Sequence, residues 1–314
     1  MVKEEDASAI DTPQEPAVSR SALSDTLISG REFALDLLSG SNKRRVVNRH
    51  LAISPMQPSA DLAEKLKQTL DDLKLSVMNA EGTSVDYGAL RVSKAYEKYH
   101  DECLSVLNSF NPVLLSSIQA RRAFWFNLYN ALVLDAVIDF GVNKSVTEGR
   151  LGMLTFFRRA AYSVNGERVS LEDIEHGILR GNKGNPYIPG VHFRSTDSRQ
   201  KWALPLDPRI HFALNCGGRS CPPIRSYTAE RLDEQLDIAA RSFIDGTVEI
   251  RPESRTVALS QIFKWYESDF GGRDGLVEFL IRYLPDGERR RNLVSPAGVL
   301  ALEHRSYDWT LNGM

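Results

Sequence analysis

From about residue 60 the chain settles into a helical rhythm. Leu62, Leu66, Leu70 and Leu73 recur at helical spacing, with Lys and Asp between them. That period predicts an amphipathic helix with one buried face. A second helix is expected over 89–108, with Ala95, Tyr99, Leu104 and Leu107 turned inward and Cys103 as buried filler. The segment from Ile118 to Phe140 is different, because it is apolar nearly all round and therefore belongs at the centre of the core. Gly141 ends it. Ala123, Asn127, Asn130, Leu134 and Ile138 share one stripe at i, i+4, i+7, i+11 and i+15. A buried amide left without partners costs about 1–3 kcal/mol, so Asn127 and Asn130 must be hydrogen-bonded. They either clip neighbouring backbone or orient a polar group in a site.

Beyond residue 160 the period changes. AYSVNGERVSL alternates around Asn165-Gly166 and reads as a hairpin with a two-residue turn. Ser170 and Asp173 form a capping box for the helix LEDIEHGILR, which places Glu172, His176 and Arg180 on one face. That face is either a surface charge ladder or a histidine held by a carboxylate. Residues 181–206 read as a long loop, of the kind that borders a site or closes over it. Thr228 can cap the helix AERLDEQLDIAARSFI. TVEI and TVAL flank RPESR as a second hairpin, and Ser260 caps QIFKWYESDF before Gly271-Gly272. DGLVEFLIRYL is a further helix, and VLALEHRSYDWTLN a final strand that returns Tyr307–Asn312 to the core.

Ahead of all this lie an acidic, Pro- and Ser-rich start over 1–20, which reads as disordered, and a helix over 21–40. The basic run KRRVVNRH follows, read as a solvated loop, then the linker ISPMQPS. We therefore expect a disordered or peripheral N-terminal segment and linker over 1–58 and a single globular domain over 59–314. The fold class expected is α+β: a helix-rich first half, then a small, mostly antiparallel sheet with packed helices.

Composition narrows the function. The chain has 314 residues and a net charge of −2, which argues against nucleic-acid or membrane-surface partners. Its start lacks the apolar core of a secretory signal. The most apolar stretch, Ala123 to Ile138, is interrupted by Asn127, Asn130 and Asp135, so a buried helix is expected rather than a membrane span. Three cysteines are too few for a disulfide scaffold, and an intracellular, cytoplasmic, soluble protein is expected.

Candidate chemistry concentrates in DPRIHFALNCGGRSCPPIR, residues 207–225, which holds His211, Cys216, Cys221 and a Gly-Gly pair. Asp207-Pro208 is a good helix start, yet the following residues also alternate as a strand would, and period alone leaves both open. On either reading His211 and Asn215 share a face. A helix opening at Pro222 would make Cys221 its N-cap and favour the thiolate. A cysteine nucleophile needs a base within reach, and His211 beside Cys216 or Cys221 supplies the residue types. Gly217 and Gly218 would offer N–H groups to an oxyanion. Zinc held by His211, Cys216, Cys221 and His176 is the less favoured alternative, as is a Cys216–Cys221 disulfide in a reducing compartment. No cofactor or metal is expected.

The order AFWFNLYNAL, SLEDIEHGILRGN, DPRIHFALNCGGRSCPPIRSY, LSQIFKWYESDFG and YDWTLN resembles the domain-of-unknown-function family numbered 547, over roughly Val85 to Asn312. The resemblance implies one compact domain shared by bacterial and eukaryotic proteins, sometimes fused to glutaredoxin-like, DEP or leucine-zipper segments. It implies no established reaction. C-x-x-C is absent here. Papain-like and transglutaminase-like enzymes place Cys before His, so likeness to them would need a permuted order or His304 as base. From the residues themselves we expect a cysteine-dependent hydrolase or acyl transferase acting on a peptide or small molecule. Its candidate site residues are Cys221, Cys216, His211, Asn127, Asn130 and His176. The alternative is a non-enzymatic interaction or scaffold domain with a protein partner.

Overall fold

Helix α1 (Arg20–Ser39) and helix α2 (Asp61–Val77) open the computed structural model, which describes residues 20–41, 46–50, 61–148, 151–294 and 301–313. The expected disorder over 1–19, residues 43–45 of the basic run and the linker lie outside the described residues, while Val47–His50 form a short 3₁₀ turn. On α2 the stripe Leu62, Leu66, Leu70 and Leu73 is buried, as its spacing requires. The single helix expected over 89–108 is instead a broken series. Turns at Tyr87–Arg91 and Lys94–Lys98 precede a π-helix, Tyr99–Leu104. Ser93 is the physical reason for the break: it is extended, and its hydroxyl accepts from the Tyr96 N–H, restarting the helix at a fresh cap.

Helix α3 (Ile118–Phe140) is the element on which the rest is packed. Residues 123–137 are buried on every side, Ser117 caps the start, and Gly141 in the left-handed region (φ 63°) closes the end. By length and apolarity α3 would also suffice to cross a bilayer. In this fold 83% of its most apolar window is buried inside the protein.

Strands β1 (Ala161–Val164) and β2 (Glu167–Ser170) form the expected hairpin, with Asn165 and Gly166 both at positive φ, 50° and 77°, as a tight primed turn demands. A second sheet joins β3 (Glu249–Arg251) antiparallel to β4 (Thr256–Leu259), and β4 parallel to β5 (Ala301–His304). The class is α+β, as expected, and among the described residues the strands form two small sheets. Helices α4 (Leu232–Thr247) and α5 (Gly272–Tyr283) complete the second half.

Among the described residues two apolar clusters fill the interior. The larger surrounds α3, and the smaller joins Phe243, Val257, Phe263 and Leu276. Residues 207–225 lie where the clusters meet: Ile210 and Leu214 belong to the first, Phe212 to the second. His211 is thereby held at the seam. After β5 the chain returns, and Leu311 bridges to Gly218 while the Asn312 carbonyl accepts from the Val85 N–H.

Candidate functional site

The central stretch is neither the α-helix nor the strand that its sequence allowed. Asp207 caps a 3₁₀ turn, Pro208–Phe212, by accepting from the Arg209 N–H. The turn stops there because the backbone beyond it is claimed from outside: the Asn215 N–H donates to the Asn130 side chain. No helix opens at Pro222, and α4 begins only at Leu232, so Cys221 is not at a helix N-cap. Cys216 and Cys221 are joined in a disulfide. This corrects the expectation of two free thiols.

A cavity of about 600 Å³ opens beside this stretch. Its walls are mainly aromatic and aliphatic, with Trp265, Tyr266, Tyr307 and Trp309 on one side. Its polar groups include Glu175, His176 and His211, and Cys216 of the disulfide also faces it. The loop 181–206 contributes Asn185 to Ile188. Arg31 of α1 ties that loop down by donating to the Pro189 and Val191 carbonyls.

His211 is oriented by Asp269. Its Nε2 lies 2.9 Å from Oδ2 of that carboxylate, and Tyr266 stacks on the imidazole at 3.9 Å between ring centroids. Asp269 is fully buried and also accepts from Arg180 Nε at 2.6 Å and Lys183 Nζ at 2.9 Å. Burial opposes its ionisation, but the hydrogen bonds from His211 and Arg180 outweigh it and hold the carboxyl well below the usual range. An ionised carboxylate only accepts, so the His211 proton sits on Nε2 and the basic atom is Nδ1. Burial lowers the His211 pKa, partly offset by Asp269.

His176 is held differently from expectation. Arg180 Nη1 donates to its Nδ1 at 3.1 Å. A guanidinium cannot accept, so this imidazole is neutral with its proton on Nε2. Burial, reinforced by Arg180, pushes its pKa well below the ordinary value. The Glu175 carboxylate, 3.8 Å from the same nitrogen, finds no proton there to share. It accepts instead from the hydroxyls of Tyr129 and Tyr266. Glu172, expected on the face of His176, turns away to Arg158 at 2.8 Å. The cause is a π-helix over Asp173–Leu179, whose wider turn shifts the register of that face and brings Glu175 to the cavity wall.

Asn127 and Asn130 do not orient a site group, and their buried amides clip backbone. Asn127 donates to the Tyr227 carbonyl and accepts from the Tyr227 N–H, both at 2.8 Å. Asn130 donates to the Ala213 and Arg225 carbonyls. The proposed oxyanion donors are already engaged: Gly217 N–H bonds the Asn215 side chain, and Gly218 N–H the Cys221 sulfur. The zinc alternative loses its sulfurs to the disulfide, and no cluster of metal-ligating side chains occurs among the described residues. His211, His176 and Cys216 do converge on one cavity, with Cys221 just behind. Asp269, Glu175 and Tyr266 escaped the sequence reading, although all sit inside motifs it quoted.

The fold and site together define an α+β protein with an aromatic-walled cavity, a carboxylate-oriented histidine and a disulfide whose Cys216 lines the cavity. Residues 115–244 match the model of the family described as protein of unknown function, DUF547. No curated protein and no solved structure matches the chain. Asp269, Trp265 and Tyr307 lie beyond the matched span.

Proposed function

We propose that the cavity is the active site of a cysteine-dependent hydrolase or acyl transferase, acting on a peptide or small molecule with an apolar or aromatic acyl group. The observation that carries this reading is that His211, oriented by Asp269, shares the cavity wall with Cys216. Once the disulfide is reduced, Cys216 is the nucleophile and His211 Nδ1 the base, while Asp269 is a positioning residue that fixes the tautomer. The apolar walls suit an acyl group and exclude water from the thioester.

The test uses reduced protein and p-nitrophenyl benzoate. A burst of one equivalent of p-nitrophenol is expected, lost in Cys216→Ser and in His211→Asn. Asp269→Asn is expected to shift the pH profile of the burst. Turnover indifferent to Cys216→Ser would overturn the reading. A non-enzymatic interaction domain is the second reading. The closed disulfide and the clipping roles of Asn127 and Asn130 favour it.

A further inference from the structure

We propose that the Cys216–Cys221 disulfide is a thiol–disulfide exchange centre, in which an apolar thiol or dithiol seated in the cavity attacks the Cys216 sulfur and Cys221 departs as thiolate. This goes beyond the acyl-transfer reading and does not require it, though the exchange would supply the thiol that reading needs.

The two sulfurs are placed unequally. Cys216 lines the cavity and is partly exposed, whereas Cys221 is buried, 8% exposed. An incoming thiolate therefore meets Cys216 first. Behind it, Cys221 Sγ is surrounded by donors: the Cys216 N–H at 3.1 Å, the Gly218 N–H at 3.3 Å and the Tyr307 hydroxyl at 3.1 Å. Sulfur in a disulfide is a weak acceptor and a thiolate a strong one. These donors thus gain most when negative charge arrives on Cys221, which makes it the better leaving group. Gly217 at φ 83° makes the turn that directs both N–H groups inward, a conformation that a side chain would strain. Tyr307 also lies 3.2 Å from Cys216 Sγ, and burial raises its pKa, so it stays a protonated donor.

The electron count closes. The thiolate forms a bond to Cys216 Sγ, the Cys216–Cys221 bond breaks, and its electron pair goes to Cys221. A second thiolate then attacks the mixed disulfide, leaving the dithiol oxidised by two electrons and Cys216 as a thiolate that takes up a proton. The walls of Leu214, Trp265 and Trp309 favour a thiol with an apolar body.

The test treats the native full chain with benzyl mercaptan, quenches with acid, and maps the adduct by peptide mass spectrometry. The adduct is expected on Cys216 over Cys221 by roughly ten-fold, against a near-equal split in urea-unfolded chain. Cys103, free and buried, serves as the internal control, since its modification reports unfolding. Tyr307→Phe is expected to slow adduct formation by roughly ten-fold, the loss of one hydrogen bond to a charge. The wild-type mapping stands whether or not that variant folds. An adduct on Cys221, an equal split in native protein, or reaction only alongside Cys103 would overturn the proposal. Exchange without any ester burst would sink the acyl-transfer reading alone.

Discussion

Asn130→Leu tests what the buried amide does, because leucine keeps the branched outline and the heavy-atom count while removing the polar groups. Asn130 is fully buried. Its side chain accepts from the Asn215 N–H at 3.0 Å and donates to the Ala213 carbonyl at 3.1 Å and the Arg225 carbonyl at 3.3 Å. Substitution strands the Asn215 N–H and at least one carbonyl away from water. At about 1–3 kcal/mol for each unsatisfied group, the loss is about 2–6 kcal/mol. That is a large part of the 5–15 kcal/mol or so that holds a typical domain folded. The assay is guanidinium denaturation followed by tryptophan fluorescence and far-UV circular dichroism. Asn143→Ala, which removes an exposed amide bonded to the Gly141 carbonyl, is the control, expected within about 0.5 kcal/mol of wild type. Hydrogen exchange should rise first across residues 213–225, since those are the groups released. A loss below about 1 kcal/mol, with that segment still protected, would refute the clip.

Other outcomes follow from the same geometry. Asp269→Ala leaves Arg180 buried without its carboxylate and should cost about 3–5 kcal/mol in denaturation midpoint analysis; a neutral result would contradict the buried pairing. His176 and His211 have lowered pKa values in the folded state, so the unfolded chain binds protons first as pH falls below about 6.5. Stability should therefore fall on going from pH 7 to pH 5, with a slope of up to about 2.7 kcal/mol per pH unit, and His176→Gln should remove about half of it. Unfolding curves that superimpose at pH 7 and pH 5 would show that neither ring is held neutral. Gly184→Ala should loosen the loop beside the cavity, because its Cβ would meet the Gly190 carbonyl oxygen at 2.2 Å and its φ is 80°. Limited proteolysis between residues 185 and 191 is the readout, and unchanged cleavage counts against the tight packing.

What the sequence determined by itself is the local periodicity and its punctuation. The leucines of α2, the all-round apolar character of α3, the Asn165-Gly166 turn and the caps at Ser170 and Ser260 are written in neighbouring residues, so a single chain suffices to read them. The return of Tyr307 to the core was legible for the same reason. It was also legible that residues 207–225 carry the chemistry, because reactive side chains crowd there. Contacts between distant segments decided the rest. Whether the Asn130 amide clips or catalyses depends on which backbone lies opposite, 85 residues away along the chain at Asn215. The partner of His211 is Asp269, 58 residues on, and no spacing rule selects it from among the other carboxylates. The π-helical turn at 173–179 brought Glu175 to the cavity wall alongside Glu172, which pairs with Arg158, because packing overrode the 3.6-residue period on which the face was drawn. Cys216 and Cys221 share a disulfide because the turn at Gly217 folds one back on the other, a conformation that composition does not specify.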